Sequence, residues 1–116
     1  MSLSPACFYF GPLPQIRHND PPVIVKETPT RDTVLILHDQ PVRMFVIATD
    51  PDGVHFYWSL SDGTQFGPGT LIDASSSYLE LSPKAELDGQ VLSCLVVDGA
   101  STDPASTELS WPLEVP

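Results

Sequence analysis

The sequence predicts an all-β fold, an antiparallel sandwich of about seven strands behind an extended N-terminal tail. Three observations carry that prediction. Thirteen of the 116 residues are proline, and proline is confined to turns, edges and linkers because it disrupts helix interiors and central strands. Two segments, Val54–Leu60 and residues 107–115, alternate apolar and polar side chains with the period of a half-buried strand. Turn signals recur at roughly 8–12-residue spacing, as an antiparallel sandwich requires. The length suffices for one domain with a real core and is too short for two.

Residues 1–22 read as a tail. Pro5, Pro12, Pro14, Pro21 and Pro22 with Gly11 make an extended, stiff spacer. Its apolar exception is Cys7-Phe8-Tyr9-Phe10, either packed on the domain or held by something else. The β pattern fills residues 23–116. Val23-Ile24-Val25 is a short first strand, and Thr33-Val34-Leu35-Ile36-Leu37 a second. In Val42–Thr49 both sides are apolar; placing Val42, Met44, Val46 and Ala48 inward leaves Arg43 and Thr49 outward. Phe45 and Ile47 then need cover from a neighbouring strand, the tail or a partner.

Asp50-Pro51-Asp52-Gly53 turns the chain into a strand whose Val54, Phe56, Trp58 and Leu60 share one face. Ser61-Asp62-Gly63 is a tight hairpin turn. Short strands follow at Thr64-Gln65-Phe66 and Thr70-Leu71-Ile72, then a loop at Ala74-Ser75-Ser76-Ser77. Tyr78-Leu79-Glu80-Leu81 is a strand with both leucines inward. Residues 83–89 cross over as a short 3₁₀ or α turn, a turn or two long. Residues 90–97 are the most apolar strand and so central. The last strand, 107–115, points Leu109, Trp111, Leu113 and Val115 inward, with Pro112 outward as on an edge strand. The expected core is Phe56, Trp58, Leu79, Leu81, Leu92, Cys94, Val96, Leu109, Trp111 and Leu113.

The formal net charge is −10. A negative surface repels nucleic-acid phosphates and anionic lipid headgroups, so neither is an expected partner. No stretch approaches the roughly 20 apolar residues of a membrane span. The printed sequence shows no basic segment followed by an apolar one, as a signal peptide would. Either the chain stays where it is made or upstream sequence belongs to it. Two cysteines, Cys7 and Cys94, are too few for a disulfide framework.

Ala48-Thr49-Asp50-Pro51-Asp52-Gly53, then Phe56-Tyr57-Trp58, then Asp62-Gly63, resembles immunoglobulin-like domains of bacterial surface and secreted proteins, including polycystic-kidney-disease-type and cadherin-like modules. Leu87-Asp88-Gly89 and the strand through Cys94 resemble the sixth strand of an immunoglobulin domain. The resemblance covers residues 23–115 and implies an immunoglobulin-like sandwich. In that family a second-strand cysteine pairs with the one matched by Cys94, beneath the tryptophan matched by Trp58. Val42–Thr49 contains no cysteine, and no tyrosine stands two before Cys94. The disulfide and tyrosine corner are therefore missing, and Cys94 is expected as a buried free thiol. Leu3-Ser4-Pro5-Ala6-Cys7 resembles the end of a bacterial lipoprotein signal, although Ser4 stands where an apolar residue is usual. That resemblance implies lipid attachment at Cys7. A free or packed Cys7, or a Cys7–Cys94 disulfide, are the alternatives.

His18, His38 and His55 are scattered, and no pair has metal-ligand spacing. No nucleophile motif or Gly-rich phosphate loop occurs, so no enzyme activity is expected. Asp50, Asp52, Asp98 and Asp103 should meet at one end of the sandwich, where their oxygens suit Ca²⁺. The alternative is ordinary turn chemistry, with Asp side chains accepting backbone N–H groups; otherwise no cofactor is expected. His55, Tyr57 and Tyr78, with Phe45, are the candidate binding face. The expected role is a non-catalytic domain of the cell envelope or surface, or a secreted one, for adhesion, spacing or partner binding. Its partner is a protein or a glycan, and it meets the membrane only through a lipid anchor. The alternatives are a carbohydrate-binding accessory module of a secreted enzyme system, and a structural decoration domain using the Phe45/Ile47 face.

Overall fold

A computed structural model describes residues 20–100 and 104–116. Its strands, in chain order, are β1 (Val23–Thr28), β2 (Leu35–Ile36), β3 (Val42–Thr49), β4 (Val54–Leu60) and β5 (Gln65–Gly67), then β6 (Thr70–Asp73), β7 (Ser76–Leu81), β8 (Val91–Asp98) and β9 (Ser106–Glu114). One sheet has the order β1-β3-β7-β6 and the other β2-β9-β8-β4-β5. A single 3₁₀ turn, Ala85–Leu87, links β7 to β8. Among the described residues no helix is long and apolar enough to cross a membrane.

The strands form where alternation gives each sheet one buried face. Met44, Val46 and Ala48 from β3 meet Phe56, Trp58 and Leu60 from β4, Leu92, Cys94 and Val96 from β8, and Leu109, Trp111 and Leu113 from β9. These side chains are removed from water at roughly 25 cal/mol per Å² of apolar surface. β8 is central, paired with β4 on one side and β9 on the other, as its apolar composition predicts. Phe45 and Ile47 sit half-buried on the outer face of β3. β1 and β7 flank them, with Tyr78 opposite Phe45.

Three expectations are corrected. The 33–37 run is not a five-residue strand: only Leu35 and Ile36 pair, and they pair parallel to Leu113 and Glu114 of β9. This segment carries the chain from one sheet to the other. Asp32 has a left-handed φ of 67°, and a Thr33-to-Thr30 backbone bond closes a turn just before the pairing begins. The sandwich is therefore antiparallel except at this one junction. Pro112 precedes the only two β9 residues that β2 covers, so β9 is an open edge for most of its length. Ser76 and Ser77 are not loop residues; they begin β7 and are buried. Leu79 is half-buried rather than fully within the core.

The link from β1 to β2 is held by Arg31, whose backbone N–H and guanidinium both donate to the Glu27 carboxylate. The Arg31 hydrogen bonds hold the Glu27 carboxyl below its usual range, against a smaller opposing effect of burial. A depressed carboxyl pKa contributes stability that is present above the unfolded value, near ~4.3, and lost as pH falls through the folded one. Glu27→Gln should thus destabilise by about 1 kcal/mol at neutral pH, the upper end for a partly exposed ion pair. Thermal melts at pH 7 and pH 3 check this: the gap between variant and parent should close at the lower pH.

Candidate functional site

Trp58 fixes how the two sheets meet. Its indole stacks on Trp111, with ring centroids 5.9 Å apart and planes 15° from parallel. Its Nε1–H donates to Ser77 Oγ at 3.0 Å, and that hydroxyl donates to the Pro68 carbonyl at 2.6 Å. The Trp111 Nε1–H donates to the Pro29 carbonyl at 2.9 Å. Both buried indoles therefore satisfy their only polar group, as burial demands. This network explains why Ser77 is inside: a small hydroxyl fits beneath the indole and relays its proton to a loop carbonyl.

With Trp58 turned inward, β4 alternation turns His55 and Tyr57 outward. His55 is exposed and Tyr57 is 50% exposed. Tyr57 lies opposite Leu95 of β8, and Leu95 opposite Glu108 of β9. His55 lies opposite Val97. The result is a flat outer face with an aromatic and aliphatic centre bordered by polar residues. Tyr78 is not part of it. It lies on β7 in the other sheet, half-buried, with the Arg43 guanidinium 4.2 Å over its ring. The structure thus brings His55 and Tyr57 together and sets Tyr78 apart. Leu95 and Val97 were not singled out because β8 is apolar on both faces, so nothing marks its outer side even with Leu92, Cys94 and Val96 placed inward.

At the end of the sandwich next to this face, Asp50, Asp52 and Asp98 each offer an oxygen, all within 4.8 Å of one another. Asp103 lies outside the described residues. Asp98 is 2% exposed. Its two carboxylate oxygens accept the Ala100 and Ala105 amides at 3.1 and 3.2 Å. Asp50 accepts the Asp52 amide at 2.9 Å. Gly99 donates to the Gly53 carbonyl at 3.0 Å, which ties the β8–β9 loop to the β3–β4 turn. Turn and loop chemistry uses these carboxylates, and their convergence gives them the oxygen donors that a hard cation takes.

Cys94 is fully buried and, among the described residues, has no disulfide partner. Burial pushes its pKa up to about 12, so the nucleophilic thiolate is scarce at neutral pH. Cys7 lies outside the described residues. Cys94 should resist alkylation by iodoacetamide at pH 8 in the native state and react once urea unfolds the chain. Peptide mapping by mass spectrometry reads this separately from Cys7. Rapid native labelling at Cys94 would contradict its burial.

No protein-family model matches the chain. No curated protein matches it either. Solved structures do resemble it. Rst D1-D2 matches with a TM-score of 0.59 and 21% identity, covering 83% of this chain and 50% of that one. The chain thus spans half the length of that structure. A mutant complex of titin M10 with the obscurin-like 1 immunoglobulin domain matches with a TM-score of 0.60 and 14% identity, covering 85% of this chain and 96% of that one. The sheet order agrees: β1-β3-β7-β6 corresponds to the A-B-E-D sheet of an immunoglobulin sandwich, and β4, β8 and β9 to strands C, F and G. At these identities the likeness carries the fold alone, and that fold is an immunoglobulin-like β-sandwich.

Proposed function

We propose that this chain is a non-catalytic binding module of the cell envelope or surface, or a secreted one, related to the bacterial polycystic-kidney-disease-type and cadherin-like domains. Its Pro-rich N-terminal segment is the tether, with lipid on Cys7 as the anchor. The observation that supports binding is the outer face of β4 and β8, where Tyr57 and Leu95 stand side by side in solvent. Large apolar side chains clustered on an open sheet are the kind of anchor that carries binding energy. The folds it resembles are shared by many binding modules, one of them solved as a complex with titin. The partner class is a protein surface. A carbohydrate ligand is the second reading, favoured by the exposed Tyr57 ring, on which a sugar face can stack. Calcium at Asp50, Asp52 and Asp98 belongs to this proposal as a stabilising ion next to the face.

Binding of the purified chain to intact cells of its source and to a glycan array tests the reading. Tyr57→Ala and Leu95→Ser should each lower binding at least tenfold while leaving the melting temperature within a few degrees. Signal on cells alone supports a protein partner, and signal on the array supports the glycan. Binding that both substitutions leave untouched would remove this face from the proposal. For the ion, about 10 mM calcium saturates the site (extracellular calcium modules bind with Kd of about 10⁻⁴–10⁻³ M): removing it with a chelator should lower the melting temperature, and an unchanged melt would sink calcium.

A further inference from the structure

Among the described residues the sandwich blunts most of its strand edges. Unpaired edges present N–H and C=O groups that template pairing with other chains, and proteins blunt them with bulges or short strands. β2 is two residues long and β5 three. β1 breaks register between Ile24 and Lys26, and β6 between Leu71 and Asp73. β9 is partly covered: the Asp32 amide donates to the Ser110 carbonyl, β2 pairs with Leu113 and Glu114, and Pro112 between them has no N–H to offer. β4 differs. Its register with β8 runs unbroken from Val54 to Leu60, yet β5 pairs only with Trp58 and Ser59. Residues 54–57 therefore have β8 on one side and, among the described residues, no strand on the other.

The direction of the free groups follows from alternation. The Leu60 N–H bonds to the Thr64 carbonyl on the β5 side, and the Ser61 N–H bonds to Val91 on the β8 side. Every second residue back from Leu60 aims its N–H and C=O the same way as Leu60. Val54 and Phe56 thus present two donors and two acceptors to the open edge. Beside them runs a groove of about 500 Å³, lined among others by Val54, His55, Phe56, Tyr57, Pro68 and Leu71. Leu71 is 54% exposed. No Asp, Glu, Lys or Arg side chain lines the groove, and His55 is its one titratable group near neutral pH, while Asp50 and Asp52 precede it and Asp73 closes β6.

We propose that the β4 edge at residues 54–57 is a strand-addition site for an extended, lysine- or arginine-bearing segment of a partner protein. The segment's backbone pairs with Val54 and Phe56, and an apolar side chain rests on Leu71. Backbone pairing supplies affinity and the groove supplies choice of side chain. The net charge of −10 selects a cationic segment and opposes a second copy of this chain. This inference rests on the reading of the chain as a binding module, but uses the sheet edge rather than the outer face.

Amide hydrogen exchange by NMR on the full chain tests it. The probe is a synthetic peptide of alternating valine and threonine with lysine at both ends, and its glutamate-ended counterpart is the control. The lysine-ended peptide should slow exchange at Val54 and Phe56 at least tenfold and leave His55 and Tyr57, which face β8, unchanged. The glutamate-ended peptide should bind at least tenfold more weakly. Leu71→Arg, at an exposed position, should weaken the lysine-ended peptide at least tenfold without changing the melt. No slowing at millimolar peptide overturns the site, and equal binding of both peptides overturns the cationic class. Protection of both amides without peptide overturns the occupant: a second copy if it grows with protein concentration, an intramolecular segment if it does not. A chain that binds cells yet ignores the peptide loses this inference alone. One that takes the peptide yet binds no surface loses the earlier proposal alone.

Discussion

Trp58→Ala should destabilise the fold by about 3–5 kcal/mol, the range for deleting a large aromatic side chain from a packed core. Against a total of about 5–15 kcal/mol for a typical domain, that leaves little margin. Three losses act together. The indole is 1% exposed, so its whole apolar surface stops being buried. Trp111 loses its stacking partner. Ser77 keeps its bond to the Pro68 carbonyl but no longer receives the indole N–H. Trp58→Phe separates these contributions. It keeps most of the burial and ring contact and removes the N–H, so its cost should be smaller, about the 1 kcal/mol of one hydrogen bond or somewhat more. Urea unfolding, followed through the remaining Trp111, measures both. A Trp58→Ala variant as stable as its parent would mean that the two sheets do not meet through this residue.

Gly99→Ala should be the most damaging change outside the core, at about 2–4 kcal/mol, in the range of overpacking and broken buried networks. A Cβ at Gly99 would fall on the Asp52 carbonyl oxygen, far inside van der Waals contact. Neither side can yield cheaply, because both are backbone. The Gly99 amide is bonded to Gly53, and the loop beyond it is held by the Asp98 carboxylate. Gly53→Ala is the natural comparison. Space around Gly53 is open, and only its φ of 85° resists a side chain, which costs about 1–2 kcal/mol. Gly99→Ala should therefore melt several degrees below Gly53→Ala and speed amide exchange at Asp98 and His55. The reverse order would show that the loop and the turn do not touch as described.

The parts of the fold that were readable in the sequence are those with one buried face. Val54, Phe56, Trp58 and Leu60 alternate so strictly that strand, face and core membership follow together. Leu109, Trp111 and Leu113 behave alike. The unreadable parts depend on partners distant in the chain. Ser77 looks like loop because it is polar and follows two serines, and its burial needs Trp58 and Pro68. The apolar 33–37 run resembles a strand, yet most of it serves to change sheets. β6, expected at residues 70–72 and found there, is exposed at every residue, so the sequence placed the strand without giving it an inward face. The same limits apply to the candidate site. The convergence of Asp50, Asp52 and Asp98 follows from placing a turn and a loop at one end of a sandwich. Tyr78 was grouped with Tyr57 because both point outward, and outward has a different direction on each sheet.

The proposed binding module is held outside the cytoplasm by its N-terminal segment. The deciding measurement is the intact mass of the mature protein, extracted with detergent from membranes of its native cell. The expected chain begins at Cys7 and carries acyl groups there. A soluble chain that retains the residues before Cys7, with an unmodified thiol, would contradict this expectation.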